Sequence, residues 1–259
     1  MTKRFWIRLF HTLLLLSTLL AAACFGQQFE VASVKLSTSG YNGVRGGCRG
    51  VDTKYSPADL DAAPPLGQCV ITDGRLSHLI GIAYGVEMGQ IKNAPDWVMV
   101  DQERYNVMAA ADDRASVKQA DLLTMLQNLL VSRFELKFHR EPTEKQGFGL
   151  TVAKGGPKFQ VSKAEKCSIN MNGGKKGVVG LNVLTIQGCP IAQVIRVLPG
   201  LIVDETGLAG VYDFKLEWDE TQGPSLVTAV REQLGLRLDS KMVPYSYFVI
   251  DSAQRPSAN

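Results

Sequence analysis

The chain has 259 residues, 28 Lys plus Arg against 25 Asp plus Glu, and a formal net charge of +3. Lys3, Arg4 and Arg8 account for that whole excess. They lie in the first 26 residues, so the remainder is neutral, which excludes a nucleic-acid binder relying on a surviving basic surface.

Residues 1–26 read as a secretory signal. A short basic start precedes an apolar run from Leu9 to Ala23, and small residues follow it. A membrane anchor is the alternative, but a run of about 15 residues is shorter than the roughly 20 a spanning helix needs. The expectation is an exported chain of the periplasm, cell envelope or extracellular space, with no transmembrane helix after cleavage at Gly26. Lipidation at Cys24 is a second possibility. It is weakened because Leu20 stands one residue too early and Ala21 occupies the Leu position of a lipoprotein signal.

Cleavage after Gly26 leaves four cysteines: Cys48, Cys69, Cys167 and Cys189. In an oxidising compartment an even number reads as disulfides, and three pairings are possible. The nearly equal separations favour Cys48–Cys69 and Cys167–Cys189. No closely spaced Cys pair suggests zinc, and no cofactor motif is found.

Along the rest of the chain, residues 27–156 form a first expected unit. FEVASV at 29–34 alternates like a strand. Residues 39–68 are Gly- and Pro-rich and read as a long loop. Val70–Thr72 is a short strand. LSHLIGIAY at 76–84 and ADLLTMLQNLLVSRF at 120–134 have helical apolar spacing. Strands are expected at 104–108, 135–139 and 148–153. Residues 157–180 read as a Gly/Lys-rich linker. A second unit, 181–259, has strands at 183–186, 201–203, 211–218, 236–238 and 245–251, with helices at 191–198 and 225–234. The similar order suggests a tandem repeat. The expected fold class is therefore α+β, with two similar units, each carrying two helices on a small mixed or antiparallel sheet.

Several segments together resemble one family: FEVASVK, IGIAYGV, NAPDW, ERYNVMA, MLQNLLVSRFELKFHRE, LTVAKGGPKF, VDETGLAGVYDFKLEW, REQLGL and FVIDSAQRPSAN. They look like the soil-associated acidobacterial protein family, a domain of unknown function, over nearly all of residues 29–259. The resemblance implies an exported cell-envelope protein, with some relatives joined to a membrane metallopeptidase of the beta-lactam-sensor type. It supplies no catalytic residues. At the level of fold the units also resemble the short N-terminal domains of secretins and TonB-dependent receptors, by analogy only.

The search for chemistry finds no H-E-x-x-H, G-x-S-x-G or phosphate loop. Ser77 and His78 are adjacent on a helix and point about 100° apart, so they form no dyad. His139-Arg140-Glu141 reads as a solvated turn before Pro142. Asp204 and Glu205 are adjacent carboxylates, expected to point to opposite sides of an extended segment. Asp96-Trp97 and Glu217-Trp218 set an acid beside an aromatic in each half, where core packing of each Trp is the simpler reading. The expected function is a non-catalytic envelope binding or interaction module, whose sheet edges could add a strand from an unknown envelope protein or ligand. The alternatives are a secreted hydrolase-like enzyme using Asp96, Asp204 or Glu205, and a sensor domain for a separate membrane peptidase.

Overall fold

The computed structural model describes residues 27–41, 43–53, 63–100, 103–164, 167–173 and 180–256. The expected signal and Cys24 lie outside them. The chain divides into two compact units. Unit one comprises Met1–Asp52, Ala62–Phe138 and Ile250–Asn259; unit two comprises Thr53–Asp61 and His139–Val249. Among the described residues, twelve strands form three four-stranded sheets.

Unit one is built on a sheet of order β1-β5-β3-β2, with β1 at Val31–Leu36, β2 at Arg45–Arg49, β3 at Gln68–Gly74 and β5 at Tyr105–Ala110. Every pairing in it is antiparallel. Strand alternation puts Val34, Ile71, Tyr105 and Val107 on the buried face, while Met108 is exposed. Helices α1 (Leu76–Tyr84) and α3 (Gln119–Phe134) belong to this unit, with the short α2 (Asp96–Met99) between them. Leu122, Leu126, Leu129 and Leu130 recur at helical spacing and are all buried. Both long helices stop at left-handed residues, Gly85 after α1 and Glu135 after α3. Tyr105 and Phe134 meet edge to face, ring centroids 5.0 Å apart, at the centre of this core.

The second sheet, of order β7-β11-β9-β8, lies in unit two: β7 at Gln160–Val161, β8 at Ser168–Gly173, β9 at Leu181–Cys189 and β11 at Tyr212–Asp219. Its core gathers Leu184, Ile186, Leu216, Trp218, Ala229 and Leu234. The third sheet has order β10-β6-β12-β4, with β4 at Ile91–Lys92, β6 at Lys137–Val152, β10 at Ile202–Asp204 and β12 at Leu236–Ser252. Its long strands β6 and β12 have residues in both units.

This architecture corrects the expected fold class. The protein is mostly β, and it is not a repeat of two helices on a sheet. In unit two the segments read as helices shrink to α4 (Ile191–Val194) and α5 (Leu226–Ala229), the latter widening into a π-helical turn over Val230–Leu234. Leu181–Cys189 is strand throughout, longer than the stretch that alternation marks. The loop expected at 39–68 contains β2, and the linker expected at 157–180 contains β7 and β8. β2 (RGGCR) and the two-residue β7 hold no apolar alternation to read, and in β8 (SINMNG) it is confined to Ile169 and Met171; backbone pairing with β3, β11 and β9 makes them strands.

The disulfides are Cys48–Cys69 and Cys167–Cys189, with Cα separations of 4.0 and 4.6 Å. Cys48 and Cys69 stand directly opposite each other on β2 and β3, so the bond fastens a strand poor in side-chain packing to the middle of the unit-one sheet. Cys189 ends β9 and Cys167 immediately precedes β8, so the second bond closes the β8–β9 pair.

Candidate functional site

Among the described residues, strand β1 is an edge of its sheet, paired with β5 on one side. Beside its N-terminal half runs a groove of about 490 Å³. One wall includes Phe29, Val31 and Ala32; the other is a stripe of α3 that includes Met125, Leu129 and Ser132. Spacings of four and three residues place those α3 side chains along one line of the helix. The approach to β1 is held against α3 from both ends of one residue: the Gln27 amide donates to Asp121 Oδ1 at 3.0 Å, and the Asn128 amide donates to the Gln27 carbonyl at 2.9 Å. Glu30 N–H then donates to the Ala110 carbonyl, which starts the pairing with β5. Val31 and Leu36 are exposed on this strand. Gln28, Glu30, Asn128 and Arg133 also line the groove, so it sets polar and apolar side chains together beside the β1 backbone.

A second polar feature lies at the end of β3. Asp73 is buried, with φ +59°, and accepts hydrogen bonds from the hydroxyls of Ser37 and Ser39. Its backbone N–H donates to Asn106 Oδ1 at 3.0 Å, and the buried Arg104 donates from Nη1 to its carbonyl at 3.1 Å. The Ser37 and Ser39 hydroxyls hold the Asp73 carboxyl below its ordinary range against the opposing effect of burial; the charges of Arg45 and Arg104 add to this. The arrangement fastens the chain leaving β1 to the end of β3. Sequence reading missed it. The only local signal was Asp73-Gly74, a pair suited to positive φ.

His78 sits beside this cluster and closes the start of α1: its Nδ1 accepts the Arg75 N–H at 3.1 Å. Burial pushes the His78 pKa down, helped by the charges of Arg75 and Arg104. Ser77 Oγ is buried with no hydrogen-bond partner, so the adjacent pair is not joined in a catalytic arrangement. His139-Arg140-Glu141 lies inside β6, which corrects the expected turn.

Of the acidic candidates, Asp96 is the first residue of α2 in unit one. Asp204 Oδ1 accepts from the Thr206 N–H at 3.0 Å and from its hydroxyl at 2.7 Å, and so shapes the turn after β10. Glu205 pairs with Lys241 at 2.6 Å, and Glu217 with Lys215. Trp97 and Trp218 are both buried. Among the described residues, no group of three or more His, Cys, Asp or Glu is placed to hold a metal ion. No described helix is long and apolar enough to cross a membrane.

Residues 77–253 match the model of a family described as a protein of unknown function (DUF3738), and the chain belongs to that family. The matched span begins within α1 and ends just past β12, so it takes in α3 and leaves out β1 and β2. No curated protein matches the chain. No solved structure matches it.

Proposed function

We propose that this protein is an exported, non-catalytic interaction module of the cell envelope, and that it binds an extended segment of a partner protein along the edge of β1. The groove between β1 and α3 carries this reading. A strand at a sheet edge can exchange backbone hydrogen bonds with a peptide, and Phe29, Val31, Met125 and Leu129 supply apolar contacts among the polar groups of Gln28, Glu30, Asn128 and Arg133. The basic and apolar leader at 1–26 and the two disulfides support export, since such bonds persist in oxidising compartments. The candidate carboxylates Asp204 and Glu205 are engaged in a turn and an ion pair, which gives both a structural role.

The test is selection of displayed decapeptides on the disulfide-bonded protein. Selected peptides should bind the unaltered protein and lose at least ten-fold in affinity for Ser132→Trp, which fills the groove from α3. Peptides that bind the variant equally well would place recognition elsewhere.

A further inference from the structure

Unit two holds a second groove, unrelated to the β1 edge. It has a volume of about 520 Å³. Its apolar surface comes from Met171 on β8, Val197, Leu198 and Pro199 after α4, and Trp218 on β11. Among the described residues, the polar side chains lining it are Asn182 and Glu220, and none of the lining residues is basic. One carbonyl sets both of them: the Asn182 amide donates to Gly180 O at 3.1 Å, and the Glu220 N–H donates to the same oxygen at 3.4 Å. One N–H of the Asn182 amide is used in this bond, its Oδ1 is an acceptor, and Glu220 carries a carboxylate. The groove thus combines apolar surface with acceptors and a negative charge.

We propose that this groove receives the side chain of a lysine carried by a partner polypeptide. The match is one of charge and shape. An ammonium has three donors and no acceptor, and its four-carbon stem lies readily on apolar surface. An acidic group would bring a second negative charge against the Glu220 carboxylate. A purely apolar group would leave the Glu220 charge unanswered. Trp218 in the floor gives the site a spectroscopic reporter.

The experiment uses the disulfide-bonded protein with Trp6→Phe and Trp97→Phe, so that the indole of Trp218 is followed by NMR. The probe is Nα-acetyl-lysine N-methylamide, and Nα-acetyl-norleucine N-methylamide is the control of nearly equal length without the charge. Saturable movement of the Trp218 signal by the lysine probe is expected, at least ten-fold tighter than by the norleucine probe. Glu220→Gln, an exposed substitution whose folding is checked by circular dichroism, should abolish that difference. Equal binding of the two probes, unchanged preference in Glu220→Gln, or no saturable shift would overturn the proposal. Binding that appears only after Lys175→Ala and Lys176→Ala would assign the groove to the chain's own lysines and overturn the partner assignment.

Discussion

Arg104 is buried, and its guanidinium donates to the main-chain carbonyl of Asp73 at 3.1 Å. The same aspartate takes two serine hydroxyls from the segment that follows β1. A buried cation is therefore held next to a buried anion whose remaining capacity is used by neutral donors. Removing the carboxylate charge weakens the acceptor of both serine hydroxyls, and that sets the expected cost. Asp73→Asn keeps the positive φ accessible, because Asn tolerates that region. It should destabilise the protein by about 1–3 kcal/mol in urea unfolding, from the loss of charge-assisted hydrogen bonds. Ser37→Ala should cost less, about 1 kcal/mol.

His78 gives a pH dependence of defined sign. Its folded pKa is lowered from 6.5 by burial and by Arg75 and Arg104, so the unfolded chain takes up the proton first. The stabilising contribution is fully present above pH 6.5 and is lost as pH falls through the folded pKa. Stability should decline as pH falls below 6.5, and His78→Gln should flatten that slope in urea midpoints measured at half-unit steps. Asp73 also has a depressed pKa, but its contribution is lost only below its ordinary value of 3.8, so the two effects occupy separate windows.

Near the C-terminus, Arg255 binds both carboxylate oxygens of Glu103, with contacts of 2.7–2.9 Å, and its guanidinium carbon lies 5.1 Å from the Trp97 ring centroid. The Arg255 side chain is half exposed, which limits the gain. Arg255→Ala should lower stability by about 1 kcal/mol. Faster amide exchange at Gln254, whose N–H is bonded to the Phe134 carbonyl, should accompany it.

Each disulfide closes a loop of similar length, so each should contribute roughly 3 kcal/mol by the chain-entropy argument. The paired change Cys48→Ala with Cys69→Ala should expose β2 to proteolysis first, because RGGCR has little else to bury. Limited proteolysis with mass mapping checks this; cutting that starts in β8 instead would contradict it.

The elements legible in sequence were those with strong side-chain periodicity. The spacing of Leu122, Leu126, Leu129 and Phe134 placed α3 to within a residue, and LSHLIGIAY gave α1 with its Gly85 stop. Equal cysteine spacing favoured the observed disulfides. The fold class was misread where local pattern and tertiary pairing disagree. Leu226–Leu234 has an amphipathic pattern, but the structure uses one turn of α-helix and a π-helical turn. There the Gln233 amide bonds both the N–H and the carbonyl of Glu217, a contact between segments that no local signal announces. Strand β6 was split because Pro142, Gly147 and a charged run interrupt its alternation, yet it is continuous over Lys137–Val152. The groove was half legible: FEVASV marked a strand, but its position at an edge beside α3 follows from sheet order.

The central claim is that a partner's extended segment adds to β1 in the groove against α3. Amide hydrogen exchange with and without a selected peptide tests it most directly. The account predicts slowed exchange concentrated in Val31–Leu36, with smaller protection along Met125–Ser132 and loss of both in Ser132→Trp. Unchanged exchange in β1 together with protection elsewhere would contradict it.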